Sequence, residues 1–241
     1  MWLRRSNRRT LTTADLAPSN DFVQLTALYG GLDTDRTSSP SKRQGILIDR
    51  RTTYLTAPPF TAEEALTRPS PIPPSPGVYG WWFGAIPHPE IDTEACETRN
   101  GLTLLYAGIS PSRPPTNGKP ASRQNIRRRI RTHYRGNAEG STLRKTLGCL
   151  LSNELGIELR RVGSGNRRTF HAGEKLLTQW MTANAFVSWI EHPEPWVLED
   201  ELIADLDLPL NLQGNRRHPF HPVLSEIRRE AVVNANNLGV V

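Results

Sequence analysis

Seven prolines fall between positions 58 and 76 (Pro58, Pro59, Pro69, Pro71, Pro73, Pro74 and Pro76), and this run limits the fold more than any other feature of the chain. Proline lacks a backbone N–H and its φ is locked, so a run this dense interrupts helices and has no place inside a sheet ladder. It predicts an extended tether and divides the chain in two. Residues 1–76 are expected to form a low-order N-terminal extension with a Pro-rich linker, because apolar residues are sparse there and Thr and Ser frequent. Only residues 45–48 and 61–67 suggest order, the latter opening with Thr61 and Glu64 at capping-box spacing. Arg4, Arg5, Arg8 and Arg9 are followed by no apolar segment, so a secretory peptide is not expected. An organellar transit peptide stays open for a chain of eukaryotic origin.

Beyond Gly77 the pattern tightens. Residues 78–86 and 102–109 are short apolar runs flanked by Pro, Gly or Asn, as strands are, and a hairpin with a long connection would pair them. Ile126, Ile130 and Tyr134 recur every four residues within 124–135, which predicts a helix with a narrow apolar stripe among arginines. Ser141 is placed to cap a second helix, with Leu143, Leu147, Leu150 and Leu151 inward. Residues 157–162 and 167–170 suit a small hairpin around 163–166, 174–182 a helix, 186–190 a strand and 195–206 a helix ending before Pro209. Strands and helices interspersed around one small sheet make an α+β domain. It is expected over 77–212, followed by a C-terminal tail, 213–241, with a short helix.

The 241 residues carry 30 Lys and Arg against 24 Asp and Glu, a net charge of +6 that suits an acidic partner such as nucleic acid. No apolar stretch approaches the length of about 18 residues that a membrane helix requires, so a transmembrane protein is excluded as a class. Two cysteines, Cys96 and Cys149, are too few for a disulfide scaffold or a four-cysteine zinc module, and fit a reducing, cytoplasmic setting.

The charge is polarised along the chain. Residues 111–145 hold ten Lys or Arg and one acid, Glu139, whereas 191–211 hold seven acids and neither Lys nor Arg. A basic surface suits a phosphate backbone and an acidic helix suits a hard divalent cation; the bland alternative is two solvated helix faces. At about 100° per residue, Leu198, Leu202, Ile203 and Leu206 define a buried stripe, and Glu199 falls inside it while Asp200 and Glu201 do not. A carboxylate facing a core must be paired or bind a metal, so Glu199 either meets an arginine or holds a cation. On the basic helix, Arg129 and His133 share one flank of the stripe at i and i+4. Arginine's fork matches phosphate oxygens and an imidazole relays protons near neutral pH. Arg128, Arg131 and Arg135 face away, as solvated or general backbone-contacting groups. Arg127 and Arg144 suit flanking phosphates or open surface equally, and His218 and His221 read as part of a surface tail.

Taken in order, Gly77-Val78-Tyr79, Tyr106-Ala107-Gly108, Asn125-Ile126-Arg127-Arg128-Arg129, and Glu199 twelve positions before Asn211 resemble the GIY-YIG nuclease domain. Val78 and Ala107 stand where the motif has Ile, both structural positions. The connection over 86–102 and the Pro-rich insert at 111–122 are larger departures, placed either to select substrate or to cover a cleft. The resemblance implies a small three-stranded antiparallel sheet flanked by helices. It implies a metal-dependent endonuclease acting on nucleic acid, DNA ahead of RNA, with Mg²⁺ or Mn²⁺ as cofactor. By position it assigns Tyr79 as general base, Tyr106 as its partner, Arg129 as the phosphate ligand, His133 as the histidine one turn later, Glu199 as metal ligand and Asn211 as the terminal asparagine. Arg127, Arg128, Arg131 and Arg144 are the expected nucleic-acid contacts. A non-catalytic nucleic-acid-binding module with the same fold is the alternative. For Tyr79 to act as a base, its pKa of about 10 must fall roughly three units, about 4 kcal/mol, which one cation some 4 Å away at an effective dielectric near 20 supplies.

Overall fold

The computed structural model describes residues 50–117 and 119–241; the expectations for residues 1–49, including order at 45–48, lie outside them. The central strand, β1 (Gly77–Phe83), lies antiparallel between β3 (Leu102–Ser110) and β6 (Ala185–Glu191). Every residue of β1 is buried, because both faces of the sheet are covered. Full burial explains a continuous aromatic run in place of alternation. On one face Tyr79, Trp81, Phe83 and Leu105 pack on Ile126, Ile130 and Tyr134 of α3 (Ile126–Arg135), and this core extends to α4 (Thr142–Leu150) and α6 (Glu174–Asn184). On the other, Val78, Trp82, Leu104 and Ala107 meet Leu198, Leu202, Ile203 and Leu206 at α7 (Pro195–Asp205).

The sheet has four strands where the resemblance implied three. The fourth, β2 (Thr98–Arg99), pairs with the start of β3 around a turn whose residues Asn100 and Gly101 have φ of 51° and 76°. A two-residue strand leaves no periodicity to read. A separate hairpin, β4 (Arg160–Val162) with β5 (Arg167–Thr169), forms at the expected place, with positive φ at Gly163 and Gly165. Two one-turn elements, α5 (Ser152–Leu155) and a 3₁₀ turn at His171–Gly173, complete this part.

Residues 50–76 are packed, in contrast to the tether that their prolines predict. A helix over 50–56 (α1) buries Tyr54 in the second core, and α2 (Ala62–Ala65) buries both terminal alanines behind the Thr61–Glu64 capping box. Between them, Phe60 exchanges two backbone hydrogen bonds of 2.9 Å with Val187 and stacks on Trp189 at 4.6 Å. The segment therefore shields the outer edge of β6, which an unpaired strand requires. Prolines remove donors, but Tyr54, Phe60 and Ile72 between and before them remain free to be buried.

The C-terminal region is likewise more than a tail with a short helix. It forms α8 (His221–Asn237), 17 residues long, with Leu224 and Ala235 buried. Pro222 stands in the first turn, where a missing N–H costs nothing, and so suits the start of the helix. His218 is drawn inward by a hydrogen bond to Asp207.

Candidate active site

The site begins with a glycine. Gly108 on β3 stands opposite Tyr79 on β1, and a β-carbon there would lie 2.7 Å from the Tyr79 hydroxyl and 2.8 Å from the Tyr106 ring. Only a residue without a side chain lets the two phenols converge across the pair of strands. α3 then supplies the cation. Asn125 caps the helix by accepting from Arg128 N–H at 3.0 Å, Ile126 and Ile130 anchor the stripe, and Arg129 leaves its flank half-buried, donating to Gly140 O at 2.9 Å. Its positive charge acts on the Tyr79 oxygen and pulls that phenol's pKa downward against burial.

His133, one turn on, sits behind Tyr79 with no exposed surface, its Nε2 2.9 Å from the Tyr79 oxygen and its Nδ1 2.7 Å from Ser141 Oγ. Burial, together with Arg129 and Arg144, holds the imidazole pKa well below its ordinary value, so it is neutral. Hydrogen-bond accounting assigns the tautomer. Ser141 Oγ already accepts from Arg144 N–H, and Nδ1 is the one remaining partner among the described residues for its own proton. A buried hydroxyl that keeps its donor unused is costly, so Ser141 donates to Nδ1 and Nε2–H donates to Tyr79. The phenol oxygen thus receives one N–H from His133 and lies beside Arg129. Its own proton is left to point toward the cleft.

α7 brings the acid. Leu198 and Leu202 lock the helix onto the sheet, and Glu199 between them faces the cleft. No ion pair reaches Glu199 among the described residues; the nearby Arg113 is paired with Asp200 instead. Burial, reinforced by Asp200, pushes the Glu199 pKa up to about 7. The chain returns past Leu208 so that Leu210 N–H donates to Leu105 O at 3.0 Å. Asn211 then takes both Ala107 backbone groups, accepting at 2.9 Å and donating at 2.8 Å. Where β2 stops, the Asn211 amide stands in for a neighbouring strand at Ala107, next to Tyr106 and just past the irregularity at Leu105. Tyr79, Tyr106, Arg129, Glu199 and Asn211 line one cleft of about 700 Å³.

The family description GIY-YIG catalytic domain matches residues 77–230. The chain belongs to the GIY-YIG family. No curated protein and no solved structure matches it significantly. GIY-YIG domains are nuclease domains, their substrates are nucleic acids, and they generally use divalent metal ions. Among the described residues no group of three or more His, Cys, Asp or Glu side chains suits a metal, and no helix is long and apolar enough to cross a membrane. The donor set nevertheless fits a hard cation. Mg²⁺ commonly takes one or two carboxylates and completes its shell with water and substrate phosphate, and the unpaired Glu199 carboxylate offers one such ligand.

Of the residues expected to meet nucleic acid, Arg144 is corrected by the structure. It is fully buried, and its guanidinium donates to Glu174 Oε2 at 2.6 and 3.0 Å, to Glu174 O, His133 O and Tyr134 O, and to Thr178 Oγ1. No donor is left for a phosphate. Arg127 is half-buried and tied to Ile72 O at 2.5 Å. Arg128 and Arg131 are exposed on the far side of α3, outside the cleft, and His133 lies behind it. Two contributors lacked any local signal: Arg228 of α8, which lines the cleft of the GIY-YIG domain, and Ser141, whose capping position was legible but not its contact with His133.

Proposed function

We propose that this GIY-YIG domain is a divalent-metal-dependent endonuclease that hydrolyses phosphodiester bonds, with DNA as substrate. The observation that carries the reading is the convergence of Tyr79, Tyr106, Arg129 and Glu199 on one cleft. In the mechanism the Tyr79 phenol first releases its own proton through the cleft to solvent, the phenolate takes a proton from the water that attacks phosphorus in line, and the P–O bond opposite breaks, its departing oxygen taking a proton from solvent. His133 Nε2–H and Arg129 stabilise the phenolate before it takes the water's proton, and Arg129 also faces the phosphate. Tyr106, whose pKa burial and Glu199 push up to about 12, stays a hydrogen-bond donor to the phosphate. Glu199 would hold the cation, and the chemistry that ion supplies when bound is neutralisation of charge on the departing oxygen. Asn211 positions the strand that carries Tyr106.

One observation favours a second reading. Burial holds the Tyr79 phenol above its ordinary pKa, with Arg129 pulling it back down, so in the free chain it is protonated. A non-catalytic binding module would need nothing more.

Purified protein with Mg²⁺ or Mn²⁺ and supercoiled plasmid separates the two. Nicking or linearisation that disappears in EDTA is expected, along with a loss of roughly 10²–10⁴-fold in Tyr79→Phe, the usual range for removing a general base. Tyr79→Phe should retain binding, since the ring stays. A salt-sensitive complex with no cut product under either metal would establish the binding module instead.

A further inference from the structure

Arg228 rises from α8 into the cleft shared by Tyr79, Tyr106, Arg129 and Glu199. Its guanidinium donates from Nη1 to Thr146 Oγ1 at 3.0 Å, and among the described residues it has no carboxylate partner. Of the two acids that stand two positions away along the helix, Glu226 is bound to Arg229 and Glu230 also bears on Arg229. Compare Arg144, whose charge is met by Glu174 and whose donors are consumed. Arg228 is half-buried, keeps most of its five donors open, and bears on the Tyr106 phenol together with Arg129. A partly desolvated guanidinium without a counter-ion is expensive to maintain, and burial already pulls its pKa below the ordinary value. An anion entering the cleft would relieve that cost.

We infer that Arg228 binds the backbone phosphate adjacent to the scissile one, in the cleft it shares with Tyr106 and Arg129, so that α8 is part of the nucleic-acid site. This rests on the proposed nuclease reading. Two guanidinium groups in one cleft with Tyr106 suit a strand running past the phenol with successive phosphates, and each matches phosphate by its fork. The substrate class that follows is an internal phosphodiester of a polynucleotide.

Equilibrium binding of a fluorescein-labelled 16-base-pair duplex in EDTA, followed by anisotropy from 50 to 300 mM NaCl, tests this. Arg228→Ala should weaken binding about five- to tenfold at 100 mM and lower the slope of log K against log salt by about one unit. Arg228→Lys, which keeps the charge, should keep the slope. Thr146→Val removes only the helix-to-helix hydrogen bond and should bind as wild type. Should Arg228→Ala fold poorly, the Lys and Val variants decide: a lost slope in Arg228→Lys, or a loss in Thr146→Val as large as that of Arg228→Ala, overturns the inference in favour of a tie between α8 and α4. An unchanged slope in Arg228→Ala with a weakened Arg129→Ala overturns this inference alone. Absence of wild-type binding to duplex, single-stranded DNA and RNA removes the nuclease reading with it.

Discussion

Glu199→Gln should abolish cleavage and, at pH 8 without metal, make the protein more stable. Both effects come from one placement. The carboxylate sits in the apolar stripe of α7 with no arginine among the described residues paired to it, and burial raises its pKa to about 7. The folded state therefore prefers it protonated. Its contribution to stability is fully present below the unfolded value, near pH 4.5, and is lost as pH rises through about 7. Gln does not titrate, so the variant's advantage grows across that window and is flat above it. The shift corresponds to at most about 3 kcal/mol, and screening at the mouth of the cleft reduces the expected gain to about 1–2 kcal/mol. Thermal melts at pH 5 and pH 8 in EDTA measure it, and superimposable differences at the two pH values would refute the argument. Cleavage should fall by about 10³-fold or more, since an ion that stabilises transition-state charge is worth several kcal/mol. The same titration predicts that wild-type cleavage at limiting metal rises with pH up to about 7, and that saturating metal moves this rise to lower pH.

Arg144→Ala should cost about 3–5 kcal/mol of stability, the range for breaking a buried ion pair from one side. The arginine closes three elements at once. It neutralises Glu174 at the start of α6, and it satisfies His133 O and Tyr134 O, two carbonyls that the last turn of α3 leaves without helical partners. Its own helix begins at the Ser141 cap that also touches His133. Loss of the guanidinium strands a carboxylate and loosens the turn that carries His133. Replacing both partners with Met should recover much of the stability, because two desolvated charges are removed together. Arg128→Ala provides the contrast: exposed on α3, it should leave the melting temperature within about 1 °C of wild type. Equal melting temperatures for Arg144→Ala and wild type would return Arg144 to the surface reading.

Arg144 also shows where sequence reasoning stops. Spacing on a helix reports which residues share a face, and for α7 this sufficed: Leu198, Leu202, Ile203 and Leu206 all lie in one core, and Glu199 is caught among them. It sufficed for Arg129 and His133 as flank neighbours. It was silent on what the flank would meet. His133 meets Ser141 from the next helix and Tyr79 from a strand 54 positions earlier. Arg228 is 99 residues beyond Arg129 by numbering, behind a His- and Pro-rich stretch that reads as surface, and only the docking of α8 on α4 brings it to Tyr106. Residues 50–76 were misread for a related reason. Proline content reports the loss of backbone donors, whereas packing of that segment depends on Tyr54, Phe60 and Ile72 finding an uncovered sheet edge and core.

By itself, then, the sequence determined most elements between β1 and α7, the caps at Thr61 and Ser141, the hairpin glycines and the candidate tyrosines, arginine and glutamate, because each depends on residues within a turn or two of chain. Tertiary structure alone decided which charges are paired and which are left open: Arg144 closed by Glu174 and, among the described residues, Glu199 without an arginine and Arg228 without an acid. Pairing of charges is set by distance in space and by the local dielectric, and neither is encoded by separation along the chain.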